Sequence, residues 1–168
     1  MVKVTLGNLV KEYEAGTTYE SIMRESYPEK ADQIILVNVD HKLEELQKKV
    51  KRDCNVEPVY FYDQPGYNSY RRSVTFLMLK AIYSLYAKEE IGKVRVEFAA
   101  GSGYFCTLSG NLVPDVQFAK NVETRMKEYV AEEIPITKEV VDTKEAISRF
   151  AEYGMSDKAQ LFKYRRDS

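Results

Sequence analysis

Three observations predict an α+β protein built from two domains. An apolar alternation opens the chain and returns through a Gly-Asn pair. A capped helix then runs into a proline, and β-biased runs recur up to residue 62. Beyond that point the pattern changes to a long helical repeat, a second hairpin and further amphipathic segments. Strands and helices segregated in this way argue for antiparallel or mixed sheets covered by helices.

In the first part, Val2, Val4 and Leu6 alternate with polar residues, Gly7-Asn8 offers a two-residue turn, and Leu9 to Glu14 returns as a second strand. Gly16 ends the hairpin. Thr17 and Glu20 have the spacing of a capping box, in which a hydroxyl and a carboxylate each satisfy a free backbone N–H. The helix carries Ile22 and Met23 and stops near Tyr27, because the residue before Pro28 is driven out of the helical region. Ile34 to Val39 is strongly β-biased, Asp40-His41 turns the chain, Leu43 and Leu46 return it, and Val56 to Tyr62 supplies a last strand. The order β-β-α-β-β-β over residues 1–62 is that of a β-grasp sheet with one helix across it. Residues 63–68, Asp-Gln-Pro-Gly-Tyr-Asn, are rich in turn formers and read as a linker.

The second domain is expected over residues 69–168. Val74, Leu77, Met78, Ala81, Ile82, Leu85 and Tyr86 recur with helical spacing, and Phe76, Leu79 and Tyr83 add a second apolar stripe. A helix apolar on two faces is expected to be buried on both. Val94, Val96 and Phe98 alternate with Arg95 and Glu97 as a half-buried strand. Ala100-Gly101-Ser102-Gly103 turns the chain, and Tyr104 to Leu108 completes a hairpin. A helix starts near Pro114-Asp115 with Phe118, Val122, Met126 and Val130 inward. Ile136 to Val141 reads as another strand, Thr143 to Tyr153 as a helix stopped by Gly154, and Asp157 to Phe162 as a last short helix before a basic tail through Arg165 and Arg166.

Composition excludes several classes of chemistry. The 168 residues carry a formal charge of −1, so global attraction to nucleic acid is absent and any RNA contact rests on local patches. The single histidine, His41, lies in a polar turn, so neither a histidine-rich zinc site nor a Ser-His-Asp triad can be assembled. No metal site is expected. The two cysteines, Cys54 and Cys106, do not make a disulfide framework. No run approaches the roughly 20 apolar residues that span a bilayer, and the alternating N-terminus has no signal-peptide core, so a cytoplasmic protein without membrane contact is predicted.

The opening hairpin, Gly16-Thr17-Thr18 before the helix, and Val37-Asn38 with Leu43 resemble a TGS domain, the small β-grasp module of threonyl-tRNA synthetases, certain GTPases and stringent-response enzymes. The second part resembles the editing domain that follows in threonyl-tRNA synthetases. Gly103-Tyr104-Phe105, Glu145-Ala146 and Phe150 through Gly154 fall in matching places. That family's helix opens with a pattern like Arg-His-Ser-x-x-His, whereas this chain has Arg71-Arg72-Ser73-Val74-Thr75-Phe76. Both motif histidines are replaced, and the later Cys/His motif is absent. Tyr70 to Ser73 with Phe76-Leu77, Gly154-Met155, Asp157-Lys158 and Lys163-Tyr164-Arg165 are also similar to bacterial uridine kinase-like and nucleoside kinase-like proteins. That resemblance implies a C-terminal P-loop kinase domain, with ATP and Mg, as a partner. No G-x-x-x-x-G-K-[ST] occurs in this chain, so no cofactor is expected within it and the chain is expected to be a fragment or a stand-alone relative.

The resulting expectation is a non-catalytic N-terminal accessory module of a uridine kinase-like or nucleoside kinase-like protein, regulatory or binding a ligand or RNA. The alternative is a tRNA-binding or mischarged-tRNA deacylase domain. Arg71 and Arg72, expected at the N-terminal end of the long helix, are candidates for binding an anion such as a phosphorylated ligand; surface arginines are the competing reading. Tyr104 and Cys106 share one strand face and would line the same pocket. Cys106 offers a thiol, but without a histidine base its activation has no source, and core packing competes. Lys48, Lys49, Lys51 and Arg52 form a basic run able to touch RNA phosphates, diluted by Glu44, Glu45 and Asp53. The 13 tyrosines suggest a base-stacking surface, but most stand at core-compatible positions or beside turns, which favours packing.

Overall fold

Strand β1 (Val2–Leu6) and strand β2 (Leu9–Tyr13) pair antiparallel with Leu6 opposite Leu9. The turn has only two residues, and Gly7 takes φ 60° at its first position, where an L side chain would be strained. The computed structural model that gives this fold describes residues 1–101 and 103–164. Ser102 of the expected second turn, and Arg165 and Arg166 of the expected basic tail, lie outside the described residues.

Helix α1 spans Tyr19–Ser26. Its cap is Thr18, one residue later than the capping-box reading: the Thr18 hydroxyl accepts the Ser21 N–H at 3.2 Å, while Thr17 donates to the Glu14 carbonyl at 2.8 Å. Glu20 pairs with Arg24 one turn on, at 3.2 Å, instead of reaching back to a cap. Either threonine can cap a helix. The turn that closes the hairpin recruits the first and leaves the second. Pro28 ends the helix as expected and opens a 3-10 turn, Pro28–Gln33.

Strands β3 (Ile34–Val39) and β4 (Lys42–Glu45) form a second hairpin with Val39 opposite Lys42, and both turn residues have positive φ, Asp40 at 47° and His41 at 69°. Strand β5 (Cys54–Tyr60) enters the middle, antiparallel to β3 and parallel to β1. The sheet order β2-β1-β5-β3-β4, with Ile22 and Met23 of α1 packed into one cluster with Val4, Val37, Val50 and Val56, is a β-grasp.

Helix α2 runs Gln64–Leu85, so the expected linker is its first turn and more. Pro65 sits at a tolerated early position, where its missing N–H leaves no bond unmade. Gly66 fits only because it lacks a side chain, as a Cβ would lie 2.0 Å from the Tyr60 carbonyl oxygen. The two-faced burial expected of α2 is not found. Ala81 and Ile82 are buried, whereas Phe76 is 58% exposed and Tyr83 and Leu85 are exposed as well. Apolar content on two stripes says where burial is favourable, but only neighbouring elements supply it.

After α3 (Lys88–Ile91), strands β6 (Val94–Ala100) and β7 (Gly103–Leu108) form an isolated antiparallel pair. The register shifts between Val96 and Phe98, a β-bulge that breaks the in-out alternation, so Phe98 is 59% exposed and stacks on Phe105 instead of entering a core. Helix α4 (Val116–Ala131) starts after Asp115, whose carboxylate accepts the Phe118 N–H at 2.7 Å; Pro114 lies before the cap instead of inside the helix. Val122 is buried on α4, but Val130 is exposed. The mixed sheet and the second antiparallel pair, each accompanied by helices, make the protein α+β.

The chain divides into two compact units, one of Met1–Glu128 and one from Tyr129 onward, so residues 63–68 lie inside the first. In the second, α5 (Thr143–Glu152) is capped by Asp142 and stopped at Gly154 (φ 65°), and α6 (Ser156–Phe162) meets it through Phe150 and Phe162, 5.1 Å apart. Residues 136–141 carry no strand. Val140 is 91% exposed, and Glu139 instead holds Arg149 of α5 through two bonds of 2.7 and 3.1 Å. β-branched residues favour a ladder only where a second strand completes it.

Candidate functional site

Gln64, Asn68, Arg72 and Phe76 stand four residues apart and therefore share one face of α2. The first three border a cleft of about 470 Å³ whose opposite wall is the β3–β4 hairpin, with Leu36, Leu43 and Glu44, and whose end is Lys48. A volume of this size suits a small ligand or one residue of a larger one. Two residues singled out separately in the sequence, Lys48 and Arg72, thus meet in one place. Arg72 is exposed and, among the described residues, makes no ion pair. Lys48 is held by Glu44, which also lies 3.3 Å from Lys42. The Lys48 ammonium beside it keeps the Glu44 carboxyl below the usual carboxylate range, and the same pairing raises Lys48. The cleft is therefore amphoteric, with one free guanidinium.

Arg71 and Arg72 do not act as a pair. Neighbouring helical residues point about 100° apart, and Arg71 turns to the aromatic rings of Tyr104 and Tyr67, 4.5 and 5.5 Å from their centroids. Its Nη2 is buried without a hydrogen-bond partner. Because α2 begins at Gln64, neither arginine sits at a helix N-terminus, and the anion-binding help expected from that end does not apply.

Tyr104 is thus brought to Arg71 as a stacking partner. Cys106 lies opposite Val96 on β7, half-buried. Burial, with Glu97 nearby, pushes its thiol up, which is the wrong direction for a nucleophile. The basic run is split. Arg52 pairs with Asp40 at 3.2 Å and lines a separate cavity of about 640 Å³ with Lys3, Asp53 and Cys54, while Lys49 and Lys51 are exposed. Among the described residues, no group of three or more His, Cys, Asp or Glu is placed to hold a metal ion.

Sequence reading missed Gln64 and Asn68, taken for linker, and Glu44, taken only as a diluting charge. The four-residue spacing from Gln64 to Phe76 was the signal available. It also missed Tyr67, whose position four residues before Arg71 marks a helical pair. Among the described residues, no helix is long and apolar enough to cross a membrane.

The cleft on this α+β scaffold thus offers cations, amides and carboxylates. No family model matches the chain. It is similar to the threonine–tRNA ligase of Exiguobacterium sp., 27% identical over 162 residues, covering 96% of this chain and 25% of that protein. The threonine–tRNA ligase of Symbiobacterium thermophilum is 28% identical over 162 residues, covering 96% and 24%. That of Natranaerobius thermophilus is 28% identical over 155 residues, covering 92% and 24%. The chain spans about a quarter of the length of these curated relatives.

Proposed function

We propose that the chain is a non-catalytic, cytoplasmic RNA-binding module of the threonine–tRNA ligase type, which holds a tRNA phosphate at the cleft between α2 and the β3–β4 hairpin. The observation that carries this reading is the Arg72 guanidinium, exposed and unpaired among the described residues, facing the cleft that Lys48 closes. A planar fork of donors suits a phosphate. The similarity to tRNA ligases over nearly the whole chain supports RNA as the ligand and favours the tRNA-binding alternative over attachment to a nucleoside kinase, since the three relatives named are all ligases.

Hydrolysis of mischarged tRNA has no support from the side chains. Arg72 and Phe76 stand where the editing family carries histidines, and neither a guanidinium nor a phenyl ring takes a proton from water near neutral pH.

Fluorescence anisotropy with labelled tRNA across a salt series tests the reading. Binding should weaken as salt rises, and Arg72→Glu should lower the slope of log K against log salt by about one. Deacylation of mischarged tRNA should stay at the rate of buffer alone. No tRNA binding at low salt, or turnover that Arg72→Ala abolishes, would overturn the proposal.

A further inference from the structure

At the junction between β5 and α2, Phe61, Tyr62 and Tyr67 expose their rings, while Tyr60 is half-buried and packs against the β-grasp core. Tyr60 and Tyr62 stack nearly parallel, 5.1 Å apart at 8°, and Phe61 meets Tyr62 edge-on at 5.3 Å and 74°. Tyr62 is 56% exposed and Phe61 44%. Adjacent exposed rings are a patch of the kind that marks an interaction surface, since isolated apolar residues would not cluster this way. Tyr67, also exposed, continues the series one helical turn on.

From this arrangement we propose that Phe61, Tyr62 and Tyr67, with Tyr60 backing the ring of Tyr62, form a stacking platform for unpaired bases of single-stranded RNA. The proposal rests on the RNA-binding reading above and deepens it. Charge favours RNA over an apolar protein surface. The Lys30 ammonium lies 5.9 Å from the centroid of Tyr60, and the Arg71 guanidinium lies over Tyr67, so a cation stands beside a ring near each end of the segment. The one carboxylate in the segment, Asp63, is occupied by the Tyr60 N–H at 2.8 Å. The backbone beneath the rings is fixed from both sides: the Phe61 N–H donates to the Gln33 carbonyl at 2.9 Å, the Tyr67 N–H donates to the Asp63 carbonyl at 2.8 Å, and Gly66 packs against Tyr60. Rings held in place before binding lose little freedom when a base stacks on them.

The test uses the full chain, a short single-stranded RNA containing one 2-aminopurine, the same sequence annealed as a duplex, and intact tRNA. The wild type should quench the single strand and bind it more tightly than the duplex. Tyr62→Ser should weaken single-strand binding roughly tenfold while the chain stays folded, with only a small fall in the thermal midpoint from the lost contacts with Tyr60 and Phe61. Tyr62→Trp should restore binding. In a chain with no native tryptophan, its emission should fall when RNA is added. Equal binding of duplex and single strand, or single-strand binding unchanged in a Phe61→Ser/Tyr62→Ser double variant, overturns the platform. So does self-association that Tyr62→Ser abolishes while RNA binding stays the same. Wild-type protein that binds the short strand but not tRNA overturns the functional reading and leaves the platform standing. Protein that binds tRNA but not the short strand does the reverse, and protein that binds neither overturns both.

Discussion

The Arg71 guanidinium lies 4.5 Å from the ring centroid of Tyr104, tying helix α2 to the β6–β7 pair through a cation on an aromatic face. A two-stranded sheet is marginal alone, so such ties matter to it. Truncation by Tyr104→Ala should cost about 1–2 kcal/mol in urea unfolding. Arg71→Met should cost less, because it also removes the buried, unpaired Nη2. A double-mutant cycle showing no coupling between the two positions would remove the tie from the account.

Gly66 is expected to be among the least tolerant positions of α2. A methyl group there would sit 2.0 Å from the Tyr60 carbonyl oxygen, which is backbone and cannot swing away. Gly66→Ala should therefore destabilise by about 1–3 kcal/mol, although alanine is the better helix former. An unchanged denaturation midpoint would show that the junction between β5 and α2 can open.

Tyr19 is buried in the β-grasp core, and burial, with Cys54 beside it, pushes its phenol up to about 12. The unfolded chain gives up this proton near pH 10. Stability from the neutral phenol is therefore complete below about pH 10 and is lost as pH rises toward about 12, since only the unfolded state ionises in that window. Tyr19→Phe should flatten the alkaline decline in stability, measured by denaturant midpoints against pH.

Cys106 should alkylate more slowly at neutral pH than an unhindered thiol, with its reactivity profile displaced upward, because burial and Glu97 both disfavour the thiolate. Peptide mapping after timed iodoacetamide treatment separates it from the buried Cys54. Cys106→Ser should leave tRNA binding unchanged. Loss of binding in that variant would return the thiol to the site.

Much of the first 62 residues was legible because local chemistry and the final contacts agree there. Gly7 and the Asp40-His41 pair take the positive φ that two-residue hairpins demand, Pro28 ends α1, and Val2, Val4 and Leu6 alternate into the core as written. Even so, the helix cap moved from Thr17 to Thr18, because two adjacent threonines are equivalent until the preceding turn chooses between them.

Sequence by itself thus determined the hairpins β1–β2, β3–β4 and β6–β7, the order of strands and helix α1 in the first 62 residues, and the absence of an imidazole at the former motif positions, since turns, alternation and residue identity are local. Tertiary structure alone decided which apolar stripes of α2 are covered, that Val140 finds no ladder, and that Lys48 and Arg72 share a cleft while Arg71 turns to Tyr104. These depend on elements distant in the chain, and a side chain's surroundings are set by what packs against it, which no local pattern encodes.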